Sequence, residues 1–329
     1  MSLIEISVII PCYNEEENAQ AIYEAVRKEL HQHAGSFELI FIDNGSTDRT
    51  REILRSICAA DPDVRVIFNT RNFGQMRSPT HAIYQAEGAA VIAMCADFQD
   101  PPELIGEFIR RWREGTQIVL GVRRSEPASF MLTAARKAGY AFLARNADYA
   151  VVPGATGFGL YDRRVVDTLA SWHEPEPFFR GMLVESGFSL GLIPYDRPER
   201  RAGETKNGVF ELLDFAVSGL AGSSKSLLRR PIVWSMGFMA FAALLMGAAV
   251  TAAILGGGGL WAMLGVIVAV QFGLFGFGFL FTGLLGEQVR VIAERTRRVP
   301  LVIEQERINF PADRSHPARQ LFVHAEGDN

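Results

Sequence analysis

Cysteine is scarce in this chain, with three among 329 residues. The three are Cys12, Cys58 and Cys95, and no two of them form a CxxC pair. An odd number of widely spaced cysteines argues against a disulfide framework and against a structural zinc site. No GxGxxG follows the first predicted strand, which counts against a dinucleotide-binding fold, and the absence of GxxxxGK[ST] excludes a P-loop.

Charge is missing from one long stretch, because residues 232–286 include no Asp, Glu, Lys, Arg or His. About 20 helical residues cross a bilayer. The stretch therefore predicts two membrane spans, 232–255 and 261–286, joined by a turn of four glycines. Basic residues flank the pair on both sides, so both ends are expected in the cytoplasm. A helical hairpin buried in a soluble core is the alternative.

The part of the chain before this stretch alternates strands and helices. Strand-like runs are expected at 5–10, 39–42, 63–68 and 89–96, with helical stretches between them. This series predicts an α/β fold with a mainly parallel sheet and right-handed crossovers. Ligands of such sheets bind at the carboxyl ends of the strands, where the polar loops of this chain lie.

Two of these loops carry acidic and turn-forming residues. The first reads PCYNEEEN, in which Asn14 is predicted to cap a helix with acidic residues 15–17 in its first turn. The second reads DNGSTD, and the carboxylate of Asp43 can accept hydrogen bonds from a base or a ribose. The alternative for the second loop is an ordinary connection in which Ser46 or Thr47 caps the next helix.

The loop after the fourth strand, CADFQDPPE, predicts a metal site. Mg²⁺ and Mn²⁺ prefer oxygen ligands, and Mg²⁺ often takes one or two carboxylates while phosphates and water supply the rest. Asp97 and the amide oxygen of Gln99 suit that requirement, and Asp100 is predicted to cap the helix that opens at Pro101. The alternative for Asp97 is a simple turn residue.

Together, PCYNEEEN, IDNGSTD and ADFQDPPE resemble the family 2 glycosyltransferases of the GT-A fold. Later segments are similar to those of the polyprenyl-phosphate glycosyltransferases, the group of the bactoprenol glucosyltransferases and dolichol-phosphate mannosyltransferases. These segments are GVRR at 121–124, LYDRRVVDTL at 160–169, FFRGM at 178–182 and PYDRPERRAGETK at 194–206.

The resemblance implies roles for single residues. The nucleotide would be held by Pro11, Tyr13, Glu15, Asp43 and Asp97, and the Mg²⁺ or Mn²⁺ ion by Asp97 and Gln99. Two anionic phosphates close together also require cations. The candidates for the acceptor phosphate are Arg123, Arg136, Arg180, Arg201 and Lys206, with solvated surface cations as the alternative. The residues expected to be catalytic are Asp97, Arg123, Arg180 and Lys206.

The reaction implied is an inverting transfer of a sugar from UDP-glucose to undecaprenyl phosphate, for cell-envelope glycosylation. GDP-mannose and UDP-GlcNAc stay open as donors. The acceptor phosphate has a second pKa of about 6, so its oxygen is nucleophilic at neutral pH without a strong general base. The expected partners are the nucleotide sugar, the polyprenyl phosphate, the lipid bilayer and further copies of the chain in a homo-oligomer. The net charge of −4 offers no case for nucleic-acid binding.

The chain departs from the family pattern at two places. Cys95 replaces the first Asp of the usual DAD metal motif, and a thiol is a poor ligand for Mg²⁺. Gly157 and Gly159 stand where relatives often have an acid and an arginine, which predicts either a wider site or weaker catalysis. These losses motivate a rival, a non-catalytic membrane-anchored subunit that binds a nucleotide sugar. A processive polysaccharide synthase and a soluble nucleotidyltransferase fit less well, because QxxRW and a Gly-rich diphosphate loop are missing.

Four segments are expected along the chain. Residues 1–206 form a cytoplasmic GT-A catalytic domain, and 207–230 form an amphipathic helix on the membrane surface, with a domain-packing helix as the alternative. Residues 231–287 form the transmembrane hairpin of a multi-pass protein of the inner (plasma) membrane. Residues 288–329 form a cytoplasmic tail with a disordered end and a short strand, which returns to the soluble domain or to a neighbouring subunit.

Overall fold

The computed structural model describes residues 4–124, 152, 154–198, 259–297 and 299–311. The chain divides into two units, an α/β unit that contains every described strand and a second unit that contains one long helix. The first span and the segment 207–230, both predicted from the sequence, lie outside the described residues.

The α/β unit alternates strands with helices in its first half, as the sequence predicts. Its elements in chain order are β1 (Ile6–Cys12), α1 (Ala19–His33), β2 (Phe37–Asp43), α2 (Thr50–Ala60), β3 (Val64–Asn69), α3 (Gly74–Gln85), β4 (Ala90–Ala93), α4 (Ile105–Arg113), β5 (Ile118–Arg123), β6 (Ala155–Asp162), α5 (Arg163–Ala170), α6 (Phe179–Glu185), β7 (Leu190–Tyr195) and β8 (Glu304–Ile308). The second unit contains α7 (Leu260–Arg297).

The strands form one mixed sheet in the order β7-β5-β6-β4-β1-β2-β3-β8. The four strands predicted from the sequence, β4, β1, β2 and β3, are parallel neighbours. Strands β6 and β8 run antiparallel to their neighbours, and β5 pairs in parallel with β7. The expected mainly parallel sheet is therefore confirmed, with two antiparallel insertions.

Apolar residues on both faces of the sheet explain why the predicted strands are nearly continuous hydrophobic runs. Side chains of α1, α2 and α4 pack on one face with Val8, Phe41 and other buried residues. Side chains of α3, α5 and α6 pack on the other face with Ile9 and Ile40. Successive strand residues alternate between the two clusters, as the period of a strand requires.

The strand expected near the end of the chain is present as β8, and it pairs with β3 of the same chain. Beyond the ladder, the Asn309 amide donates to the carbonyls of Cys58 and Val64, both at 2.8 Å. Of the two expectations for this strand, return to the α/β unit of its own chain is the one observed here.

The second predicted span, 261–286, falls within α7. In the described part of the chain, no helix meets the combined requirements of length and hydropathy for crossing a membrane.

Candidate active site

The loops that follow β4, β1, β2 and β3 lie at one edge of the sheet, because these parallel neighbours all end there. The loops comprise residues 94–101, 13–18, 44–49 and 70–73. The three motifs singled out in the sequence are thus gathered at the edge where ligands of open α/β sheets bind.

Hydrogen bonds tie the first two loops together. The backbone N–H of Asn14 donates to Ser46 Oγ at 2.9 Å, and the N–H of Thr47 donates to Asn14 Oδ1 at 2.8 Å. The N–H of Glu15 donates to Thr50 Oγ1 at 2.8 Å. Ser46 and Thr47 therefore serve the first loop and do not cap α2.

The start of α1 corrects a prediction. The helix begins at Ala19, its first turn contains no acidic residue, and residues 15–17 precede it. Asn14 is not its cap, because Asn14 adopts a φ of +55° and its side chain accepts from Thr47. Asparagine tolerates this left-handed conformation better than most residues do. The chain thus turns toward the second loop before the helix starts.

Three predicted nucleotide-binding residues lie on the first strand and its loop. Pro11 is paired with Ile42 inside β1. The Tyr13 side chain follows the strand and is 37% exposed. Glu15 accepts from the Asn18 amide at 2.7 Å. Tyr13 is therefore the residue of the three whose ring a base could reach directly.

Asp43, the predicted base or ribose ligand, ends β2 with a fully buried side chain. Its Oδ2 accepts from Arg51 Nε at 2.6 Å and from the Gly45 N–H at 3.2 Å, while Oδ1 accepts from the Ser46 N–H at 3.2 Å. Gly45 has a φ of +82°, and a Cβ there would lie 2.7 Å from the Arg71 carbonyl carbon, so glycine is required. The carboxylate organises the second loop from within.

Asn44 joins the second loop to the third. Its Nδ2 donates to Asn72 Oδ1 at 2.8 Å and to the Gly74 carbonyl at 3.2 Å. Its Oδ1 accepts from the Phe73 N–H at 2.9 Å and from Asn69 Nδ2 at 3.3 Å. These four bonds use the whole capacity of the amide, so the first three loops form one hydrogen-bonded unit.

The predicted metal ligands lie together on the loop after β4. The Gln99 N–H donates to Asp97 Oδ1 at 3.1 Å, and both side chains are partly buried. The amide oxygen of Gln99 accepts from the Arg197 guanidinium. Two oxygen donors so placed fit Mg²⁺ or Mn²⁺ when a diphosphate supplies further ligands. Within the described residues, no three His, Cys, Asp or Glu side chains gather to hold a metal by themselves.

Asp100 does not cap a helix, contrary to the prediction. It is buried, and its Oδ2 accepts from the Cys95 N–H at 3.0 Å while Oδ1 accepts from the Tyr195 hydroxyl at 3.1 Å. The short 3-10 turn that begins at Pro102 has no side-chain cap. Arg123 Nε donates to the Tyr195 hydroxyl at 3.4 Å. Burial raises the pKa of Asp100, and its hydrogen bonds and Arg123 partly offset the rise.

Two of the five predicted phosphate-binding cations can be placed. Arg123 ends β5 and is partly buried beside Tyr195. Arg180 lies in α6, with its guanidinium carbon 4.6 Å from the centroid of the Phe178 ring. The other three, Arg136, Arg201 and Lys206, lie outside the described residues.

Backbone geometry accounts for the two unusual glycines. Gly159 lies in β6 between Ala93 of β4 and Leu120 of β5, and a Cβ there would be 2.3 Å from the Val119 carbonyl oxygen. Gly157 has a φ of +94° with open space around it. An arginine at position 159 would not fit this strand spacing, so Gly159 has a structural reason of its own.

Three residues that contact the predicted site were not assigned from the sequence: Arg51, Tyr195 and Arg197. The last two lie in the segment PYDRPERRAGETK, so a signal was present. Arg51 carried no signal, because it looks like an ordinary polar residue of an amphipathic helix.

Comparison with known proteins follows the same motifs. Residues 7–169 match the glycosyl transferase family 2. A glycosyltransferase of Bacillus subtilis (strain 168), YkcC, is 32% identical over 308 residues, which cover 92% of this chain and 94% of the relative. The chain belongs to glycosyltransferase family 2. Its α/β unit, with a mixed and mainly parallel sheet, is accordingly GT-A-like.

Further matches extend over most of the family 2 chain. The prophage bactoprenol glucosyl transferase homolog of Escherichia coli (strain K12) is 29% identical, with 92% of this chain and 99% of that protein covered. Among solved structures, glucosyl-3-phosphoglycerate synthase from Mycobacterium tuberculosis, in complex with Mn²⁺, UDP and phosphoglyceric acid, is 18% identical. It covers 67% of this chain and 77% of that chain with a TM-score of 0.48, a likeness too low to carry an argument about ligands.

Proposed function

We propose that this family 2 enzyme transfers a sugar from a nucleoside diphosphate to a polyprenyl phosphate, with inversion at the anomeric carbon. UDP-glucose is the first candidate donor and undecaprenyl phosphate the first candidate acceptor. The observation that carries the acceptor class is the match, along 92% of the chain, to a relative named as a bactoprenol glucosyl transferase homolog. The product would be a lipid-linked sugar for cell-envelope glycosylation.

The three joined loops support the donor half of the proposal. They form a pre-organised edge, so little ordering cost remains when a nucleotide binds. Tyr13 offers a partly exposed ring beside this edge. Asp43 Oδ1 accepts from Ser46 at 3.2 Å, and a carboxylate oxygen can accept a second bond. Because Asp43 is fully buried, direct contact with the nucleotide requires its covering residues to move.

The loop after β4 supports the proposed metal dependence. Asp97 and Gln99 would hold Mg²⁺ or Mn²⁺, which, when bound, would neutralise the charge of the leaving diphosphate. Gln99 would have to exchange its bond to Arg197 for the ion. The buried Asp100 holds the loop on Cys95 and Tyr195, so it positions Asp97 without touching the substrate.

The acceptor needs cations more than it needs a base. A phosphate monoester with a second pKa of about 6 is already anionic at neutral pH. Arg123, at the tip of β5, is the described cation nearest in the fold to the metal loop through Tyr195. An arginine can bind a phosphate in a bidentate manner and never loses its charge. Arg180, Arg201 and Lys206 stay proposed for the same task.

We also propose the location and assembly implied by the sequence, an inner-membrane protein with a cytoplasmic catalytic domain that forms a homo-oligomer. The charge-free stretch 232–286 and its basic flanks support this location. Fusing a reporter enzyme after residue 329 and testing its activity on each side of the membrane checks the orientation.

A transfer assay tests the function. Full-length protein in detergent is mixed with undecaprenyl phosphate, Mg²⁺ or Mn²⁺, and one of three radiolabelled donors, UDP-glucose, GDP-mannose or UDP-GlcNAc. We expect label from one donor to enter the lipid phase and EDTA to abolish the transfer. Label that enters equally with EDTA would contradict the metal dependence but leave the transfer established.

A non-catalytic subunit that binds a nucleotide sugar is the second candidate. The thiol of Cys95 in place of the usual carboxylate, together with the contact of Arg197 on Gln99, favours it. In the same experiment this candidate predicts that calorimetry detects nucleotide binding while no donor labels the lipid.

A further inference from the structure

Arg51 connects the second loop of the site to the end of the chain. Its Nε donates to Asp43 Oδ2 at 2.6 Å, one terminal nitrogen donates to Gln305 Oε1 at 3.0 Å, and the other donates to the Asn69 carbonyl at 2.7 Å. One side chain on α2 therefore joins the tips of β2 and β3 to β8, although Gln305 is 254 positions away along the chain.

The pair between Arg51 and Asp43 is unequal in burial. The Asp43 side chain is fully buried, whereas the Arg51 side chain is 27% exposed. A buried carboxylate that loses its cation keeps the cost of desolvation without compensation. The planar guanidinium offers its donors in a fixed fork, so binding three partners also fixes the direction from which Nε approaches Asp43. That contact occupies Oδ2, and Oδ1 is left facing the Ser46 N–H.

We infer that Arg51 is a positioning residue for nucleotide binding. It holds the Asp43 carboxylate in one orientation and, through Gln305, makes that orientation depend on β8 lying in its place beside β3. The inference rests on the proposed function, because it takes from that proposal the role of the second loop in holding the donor nucleotide.

The chain provides a matched control one helical turn later. Arg55 also lies on α2 and forms a bidentate pair with Glu306 of β8, at 2.6 and 2.5 Å. Both guanidinium groups lie over the Phe68 ring, at 4.5 Å for Arg55 and 5.6 Å for Arg51. Arg55 thus shares the helix, the ring and the strand with Arg51, but its carboxylate partner is Glu306 and not Asp43.

The experiment compares Arg51→Gln, Arg51→Lys and Arg55→Gln in the full-length protein in detergent. UDP affinity is measured by calorimetry well below the lowest unfolding midpoint of the set. We expect Arg51→Gln to weaken UDP binding by about tenfold, in line with couplings inside one hydrogen-bond network. Arg51→Lys, which keeps the charge, should recover part of this loss. Arg55→Gln should lower the unfolding midpoint but keep UDP affinity within about twofold of the wild type.

A second variant keeps the test decisive if Arg51→Gln does not fold. Gln305→Ala leaves the pair between Arg51 and Asp43 intact and removes the support from β8. We expect it to weaken UDP binding in the same direction but less, and to raise KM for the nucleotide sugar with kcat unchanged, the signature of lost uniform binding. Glu306→Ala is its control on the neighbouring residue and should change neither quantity.

The two proposals fail in different ways. Equal UDP affinity in Arg51→Gln and Arg55→Gln, or unchanged affinity in Gln305→Ala when Arg51→Gln does not fold, would overturn the role of Arg51 while the wild type still binds the nucleotide. A wild-type protein that binds neither UDP nor GDP would instead overturn the proposed function, and the inference with it.

Discussion

The Tyr195 hydroxyl donates to Asp100 Oδ1 at 3.1 Å, and the two residues are 95 positions apart in the sequence. Tyr195 ends β7, whereas Asp100 belongs to the loop after β4. The other oxygen of the same carboxylate accepts from the Cys95 N–H at 3.0 Å. This relationship fastens the loop that carries Asp97 to a strand at the far end of the sheet.

Tyr195→Phe should therefore affect both stability and transfer. It leaves the buried carboxylate of Asp100 with one donor fewer, which costs about 1–3 kcal/mol. Urea unfolding and the lipid-transfer assay measure the two effects. Tyr23→Phe is the control, because the Tyr23 hydroxyl donates to the buried Asp61 at 2.8 Å on α1, away from the loop. Equal transfer losses in both variants would speak against a role for Tyr195 in placing Asp97.

The pH dependence of that variant has a definite sign. Burial raises the pKa of Asp100 in the folded protein, so the folded state binds the proton more tightly than the unfolded state. Its contribution to stability is present at low pH and is lost as pH rises through the folded pKa. Removal of the Tyr195 hydroxyl should enlarge this loss, so urea unfolding at pH 7 should show a greater difference from the wild type than unfolding at pH 4.

Asp97→Asn should abolish transfer while the protein stays folded. The change removes the negative charge proposed to hold the metal, in a side chain that is only partly buried, and loss of a metal ligand commonly removes most of the activity. Asp63→Asn is a matched control, since Asp63 is exposed at the opposite, amino end of β3. Retained turnover in Asp97→Asn with the Mg²⁺ requirement unchanged would contradict the assignment of Asp97 as a ligand.

Gly159→Ala should destabilise the fold. The added Cβ would lie 2.3 Å from the Val119 carbonyl oxygen, so β5 or β6 must shift, at a cost of about 1–3 kcal/mol. Gly157→Ala meets no neighbouring atom and carries only the strain of a φ of +94°, about 1 kcal/mol. Urea unfolding of both variants checks the order. A smaller cost for Gly159→Ala than for Gly157→Ala would show that the strands separate more easily than the structure implies.

Glu304 should make the attachment of β8 sensitive to acid. Burial works to raise its pKa, but hydrogen bonds and charges from His81 and Arg307 outweigh it and lower the pKa to about 2. A lowered folded pKa means that the stabilisation is full above the unfolded value of 4.5 and is lost as pH falls toward 2. Its size at neutral pH is about 3 kcal/mol.

Unfolding at several pH values checks this prediction for Glu304→Gln against the wild type. The variant should be less stable at pH 6 and should lose less stability on acidification. Glu52→Gln, at an exposed position of α2, should follow the wild-type curve. An identical acid response in Glu304→Gln and the wild type would mean that the contacts of Glu304 do not stabilise the folded state.

The strands of the first half could be predicted because their signal is local. The runs expected at 39–42 and 63–68 appear as Phe37–Asp43 and Val64–Asn69, since strands buried on both faces need continuous apolar residues. The start of α1 could not be predicted in the same way. Asn14 has the character of a helix cap, but its partner is Thr47 in another loop, and no local pattern reveals a partner 33 residues away.

The sequence by itself determined the family, the parallel core of the sheet and the edge at which its motifs meet, because apolar periodicity and short motifs act over a few residues. Only the tertiary structure decided that Asp100 turns onto Tyr195, that Arg51 joins Asp43 to Gln305, and that β8 pairs with β3. Each of these contacts depends on which buried polar groups meet after the chain has folded. A buried carboxylate takes whichever donor the packing brings to it.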